Sequence, residues 1–279
     1  MNYRLAALGL ALAACAAPAF AQDAPAAPIT VSGSAAIVSD YSFRGISQSN
    51  KEMAVQAGIT VAHESGFYVG TWGSNLAGWG TFGGANMELD LIGGYKMAFE
   101  GGAVDVGLTW YMYPGGFDNT DFAEPYIRVS GTAGPVGLTA AVAYAPKQQA
   151  LGPWYTTGAD AAAGVYNRPN AKNDNLYVSG DGTLGIPNTP ITAKAHIGYS
   201  NGNPGLGPFA TSVAPTGEYW DWMLGADAVL GPVTLGVAYV DTDISRRESA
   251  YLEPSFSKNQ DGTGSIADGR FVFSLTAAF

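Results

Sequence analysis

Apolar and polar residues alternate in short runs along most of the chain. Val104, Val106, Leu108, Trp110 and Met112 interleave with Asp105, Gly107, Thr109 and Tyr111. Ile191, Ala193, Ala195, Ile197 and Tyr199 interleave with Thr192, Lys194, His196 and Gly198, and Val233, Leu235, Val237 and Tyr239 with Thr234, Gly236 and Ala238. Val136, Leu138, Ala140, Val142 and Tyr144 repeat the pattern against Gly137, Thr139, Ala141 and Ala143. A period of two marks strands with two chemically different faces. Twelve strands are predicted, near 31–44, 53–62, 66–74, 86–97, 103–113, 122–130, 136–145, 173–183, 191–200, 217–229, 232–243 and 269–279. The last runs Arg270-Phe-Val-Phe-Ser-Leu-Thr-Ala-Ala-Phe279 and stops on an aromatic.

The connections sort into two kinds. Those near 62–66, 98–102, 131–135, 184–190 and 230–232 are short. Those at 45–52, 75–85, 114–121, 146–172, 201–216 and 244–268 are longer. Short turns at one end and long loops at the other describe an antiparallel transmembrane barrel in the bacterial outer membrane, with both termini on the periplasmic side. A soluble β-sandwich gives no reason for this sorting.

Strand parity then separates two sets of residues. The predicted lumen carries Asp40, Arg44, Glu88, Asp90, Lys96, Asp105, Glu124, Arg128, Asp181, Lys194, His196, Asp221, Asp227 and Arg270, eight acids against five fixed bases. In a barrel these either line a polar path or pair across the interior. Aromatics gather at strand ends, where the membrane–water interfaces select them. Tyr41, Phe43, Trp72, Trp110, Tyr113, Tyr144, Tyr199, Trp220, Trp222 and Tyr239 are assigned to the long-loop side, and Phe67, Phe99 and Phe279 to the short-turn side. Lumen-facing glycines, among them Gly58, Gly70, Gly107 and Gly198, leave interior space.

Composition agrees. Charged residues make up 13% of the 279 residues, against about 25% in soluble domains. After the leader no run of 18 apolar residues is present, so the lipid-facing surface has to come from strands. The net charge of −10 argues against nucleic acid as a partner.

At the N-terminus, Arg4, the apolar run Leu5 to Ala17 and Ala19-Phe20-Ala21 before Gln22 read as a secretory signal peptide, residues 1–21. Leu12-Ala13-Ala14-Cys15 resembles a lipobox, an alternative that would leave a lipid-anchored Cys15. Cleavage after Ala21 is favoured and removes the only cysteine. Residues 22–30 then form a flexible Ala/Pro linker and 31–279 the barrel. The two histidines, His63 and His196, lack a nucleophile elbow and a Cys/His metal spacing. The expectation is therefore no enzyme, no cofactor and no metal site.

Asp40-Tyr-Ser-Phe-Arg-Gly-Ile-Ser-Gln48 resembles the N-terminal signature of the TorF family of porins. Segments 63–75, Met87-Glu-Leu-Asp-Leu91 with Gly94-Tyr95, Val104-Asp-Val-Gly107 leading to Tyr113-Pro114-Gly115, 235–243 and the closing strand resemble the same family. The resemblance implies an outer-membrane diffusion channel and supplies no catalytic or ligand-binding residues. The expected function is passive passage of small polar solutes or ions through a narrow lumen, with a weak preference for cations. The alternative is a closed-lumen structural or adhesive barrel acting through its loops. The expected partners are outer-membrane lipids, the assembly machinery that reads a terminal Phe279, and small polar solutes. A monomer is expected.

Overall fold

The computed structural model describes residues 28–78, 84–116, 118–154, 160, 163–202, 217–251 and 265–279. Within them the strands are β1 (Ile29–Val38), β2 (Ser42–Phe43), β3 (Ile46–Ser47), β4 (Ala54–His63), β5 (Phe67–Asn75), β6 (Met87–Phe99) and β7 (Gly102–Met112). They continue with β8 (Phe122–Ala133), β9 (Val136–Gln148), β10 (Asn173–Gly185), β11 (Ile191–Asn201), β12 (Glu218–Leu230), β13 (Val233–Thr242) and β14 (Arg270–Ala278).

Twelve of these close into one antiparallel barrel in the order β1-β14-β13-β12-β11-β10-β9-β8-β7-β6-β5-β4. Closure leaves no sheet edge exposed to lipid. At the seam β1 pairs with β14 from Ser34↔Ala278 to Val38↔Ser274. Gly33 and Phe279 then exchange two backbone hydrogen bonds of 2.9 Å. The Phe279 ring lies over Gly33, where a Cβ would come within 2.6 Å of its Cζ.

The short connections are two-residue or slightly longer hairpins. Gly134-Pro135 and Gly231-Pro232 place a left-handed glycine (φ +60° and +64°) before a proline. That is the order a type II′ hairpin turn requires. The long connections all leave from the opposite end.

The exterior is an apolar belt. Val106, Leu108 and Trp110 are exposed on β7, Ile197 on β11, Leu235 and Val237 on β13, and Phe271, Phe273 and Leu275 on β14. A hydrophobic surface of this extent, wrapped around a closed barrel, has lipid as its solvent. The protein is an outer-membrane β-barrel.

The first strand is shorter than expected. β1 begins at Ile29, so residues 29 and 30 of the anticipated linker are strand, and it ends at Val38 rather than 44. The signal peptide, residues 22–27 and parts of the long loops lie outside the described residues.

Candidate functional site

The chain after Val38 turns into the barrel. Ser42–Phe43 and Ile46–Ser47 pair as a miniature hairpin whose turn residues, Arg44 and Gly45, have φ of +49° and +80°. Two left-handed residues are what a two-residue hairpin of this hand requires. Gly45 also approaches β12 and β13 closely. A Cβ there would stand 2.5 Å from Thr242 Cγ2 and 2.8 Å from Asp221 Cβ. The segment that resembles a family signature is thus an inward-folded plug.

Its contacts reach several strands. Arg44 Nη2 donates to both Glu124 oxygens, at 2.8 and 2.7 Å. Its guanidinium lies 4.0 Å from the Tyr177 ring centroid and 4.8 Å from that of Phe43. Burial alone would lower the Arg44 pKa, but the adjacent Glu124 carboxylate carries it above the ordinary guanidinium value. Tyr219 donates its hydroxyl to the Arg44 carbonyl at 3.2 Å. Arg270 pairs with Asp40, and donates to the Gly45 carbonyl at 2.9 Å and to Ser42 Oγ at 3.1 Å. Tyr41 donates to Glu88 Oε1 at 3.0 Å and packs edge-on against Trp72. Ile46 and Gln48 are almost wholly buried.

These contacts correct four expectations. Tyr41 is a lumen residue, 7% exposed, and not a membrane-interface aromatic. Phe43 sits in the plug, edge-on to Tyr111. Trp72 shares the inward face of β5 with Gly70 and Ser74 and packs on the plug's apolar cluster. Tyr113, past the end of β7, is likewise buried in that cluster. Trp110, Tyr144, Trp220, Tyr239 and Phe279 are exposed on the lipid-facing side, and Tyr199 and Trp222 share their strands' outward faces.

All twelve residues assigned foremost to the lumen, Asp40, Arg44, Glu88, Asp90, Lys96, Asp105, Glu124, Arg128, Lys194, His196, Asp221 and Asp227, lie inside the barrel, as do Asp181 and Arg270. Many are paired. Lys194 Nζ is 2.6 Å from Asp227 Oδ1. His196 lies between Asp181 (Nδ1, 2.7 Å) and Asp221 (Nε2, 3.2 Å), with the Tyr177 hydroxyl 2.9 Å from Nε2. Tyr68 donates to Asp105 at 2.7 Å and meets the Tyr126 hydroxyl at 2.5 Å, while Arg128 stacks 4.4 Å over the Tyr126 ring.

Exposure varies along the axis. At the long-loop end the inward residues Ala54, Glu88, Tyr111, Phe122, Asn175, Ser200 and Tyr219 are buried. Toward the short turns the interior is uneven: Thr60, Lys96, Ser130, Thr139 and Thr183 are partly exposed and the Asp181 side chain is 41% exposed, whereas Ala103, Asp227, Thr234 and Thr276 are buried. The interior is filled toward the outside by the hairpin and its partners, and its partly exposed polar residues toward the periplasm lie chiefly along β8, β9 and β10.

The family described as "Bacterial protein of unknown function (Gcw_chp)" matches residues 22–279. The match does not confirm the resemblance to TorF-family porins. No curated protein matches the sequence. Among solved structures, a chain from work on in-meso crystallization of membrane proteins is 9% identical, covers 89% of this chain and 83% of its own, and gives a TM-score of 0.47. The COG4313 outer membrane channel from Pseudomonas putida F1 is 8% identical over 92% of this chain and 99% of its own, with a TM-score of 0.43. A porin refined at 1.8 Å resolution is 10% identical over 90% and 100%, with a TM-score of 0.41. At these identities no residue role transfers.

Proposed function

We propose that this chain, which belongs to the Gcw_chp family of bacterial proteins of unknown function, is an outer-membrane channel for passive diffusion of small polar solutes or ions, narrowed from the outside by its own hairpin at 42–47. The observation that carries this reading is the partly exposed polar region inside the barrel on its short-turn side, where Lys96, Ser130, Thr139 and Asp181 remain accessible. Side chains fill small barrels, whereas an unfilled interior admits water and what dissolves in it. The occluding segment is a small unit with its own turn, held by side-chain contacts and few backbone ladder bonds, so it can be displaced without opening the barrel wall.

A second reading has its own support. The ion pairs Arg44–Glu124, Lys194–Asp227 and Arg270–Asp40 brace the interior as a closed structural or adhesive barrel would require. Conductance of the purified, folded protein in planar bilayers separates the two. Discrete current steps that scale with salt support the channel. Persistent silence of folded protein across the voltage range supports the closed barrel.

A further inference from the structure

Among the described residues three buried side-chain polar atoms lack a hydrogen-bond partner, Asp90 Oδ1 on β6, Thr109 Oγ1 on β7 and Arg128 Nη2 on β8, and the first two lie at the level of Glu124, which binds the plug's Arg44. Asp90 and Thr109 are 6% and 3% exposed. The register pairs Asp90 with Tyr111 and Ile92 with Thr109, so Asp90 and Thr109 are diagonal neighbours on the inward face. Thr109 in turn pairs with Glu124 on β8. Glu88, two residues before Asp90, points into the same region and accepts the Tyr41 hydroxyl. Three acids, Glu88, Asp90 and Glu124, therefore share this level of the barrel. Arg44 is bound to Glu124, and no ion pair joins Glu88 or Asp90 to a base among the described residues.

Such an arrangement is incomplete as it stands. Buried polar groups are hydrogen-bonded almost without exception, and a buried carboxylate needs compensating charge as well. A water molecule would satisfy the hydrogen bonds of Asp90 and Thr109, and the charge would then have to be met by a bound proton or by a cation. We propose that Asp90 and Thr109, with Glu88 beside them, hold a small hard metal cation under the hairpin. Oxygen ligands of this type, a carboxylate and a hydroxyl, suit hard cations. Among the described residues no three His, Cys, Asp or Glu side chains are placed as a metal cage. The ion accordingly keeps part of its hydration shell, on the short-turn side. Below it the Tyr68 and Tyr126 side chains lie over Gly94 and Gly107, their hydroxyls 2.5 Å apart and Tyr68 donating to Asp105. The site goes beyond the channel reading and does not require conduction.

The test uses the folded full-length barrel in detergent, with NaCl, KCl or CaCl2 compared against choline chloride at equal ionic strength. Binding to the folded state alone raises the unfolding midpoint with ligand concentration. In wild type the midpoint rises with at least one of the three metal salts and stays level in choline chloride. Asp90→Asn abolishes the rise, and Thr109→Val weakens it. Equal midpoints in metal and choline salts, or a rise that survives in Asp90→Asn, overturn the site. Crystals soaked in a rubidium salt give a second readout, an anomalous peak beside Asp90 that the Asn variant lacks; absence of the peak in wild type also counts against it. A barrel silent in bilayers that shows the cation dependence loses the channel reading and keeps the site. A conducting barrel without it loses the site alone.

Discussion

Arg44 is the residue on which the interior turns. Its carbonyl, its left-handed backbone and its guanidinium are all used, by Tyr219, by the hairpin turn and by Glu124 respectively. Removing one partner of a buried ion pair leaves the other uncompensated, at a cost of about 3–5 kcal/mol. Arg44→Ala and Glu124→Gln are each expected to lower stability by that order, measured as urea unfolding of the folded barrel. Arg44→Met combined with Glu124→Gln should recover much of the loss, because no unpaired charge remains. Gly45→Ala meets both a positive φ and the Thr242 methyl, so it should destabilise by about 1–3 kcal/mol. Parity along the strands was enough to aim the wall-borne lumen residues inward. Where parity and an aromatic preference disagreed, parity was the better guide. Gly70 reads as inward, and Trp72, two positions on, has to share its face. Assigning Trp72 to the membrane interface followed the preference of tryptophan for strand ends instead.

At the scale of elements, strand positions and the sorting of loops were legible because lipid on one side and water on the other impose alternation over whole strands. The plug was not legible. Asp40-Tyr-Ser-Phe continues the alternation of β1, so nothing in the period marks the point where the wall ends. Arg44-Gly45 was the available clue, since a Gly in a two-residue turn fits a tight hairpin. The pairing of the plug with Glu124 and Arg270 is long-range in sequence, and no local pattern encodes it. The last strand has its own prediction. Phe279 closes the seam through two backbone bonds to Gly33 and is 75% exposed, and we propose that the assembly machinery reads it. Deleting Phe279 should lower the amount of assembled barrel in outer-membrane fractions, followed by heat-modifiable gel mobility. Equal assembly of the truncated chain would remove that role from the residue.

For the whole molecule, the charge inventory and the shape of the lumen lead to function. Inward acids exceed inward bases, and the bases Arg44, Lys194 and Arg270 are each bound to a carboxylate. The uncompensated acids Glu88 and Asp90 lie where the interior narrows. Screening over about 8 Å hides charges farther along a pore, so in the proposed channel these residues should set selectivity. Reversal potentials in a salt gradient should show a preference for cations, reduced in the Asp90→Asn and Asp105→Asn variants. Anion preference in wild type would refute the argument from charge.

The central claim is that the hairpin, and not the wall, limits passage. Its most direct test is the single-channel conductance of a variant in which 41–48 is replaced by a short Gly/Ser linker, compared with wild type in the same bilayer. The variant also carries Glu124→Gln, so that loss of Arg44 leaves no unpaired carboxylate, and because the hairpin contributes none of the barrel's ladders the wall strands are expected to keep their pairing. Steps several-fold larger and longer-lived than those of wild type are predicted. Unchanged steps, or silence from a variant that is folded by gel mobility, would contradict the account.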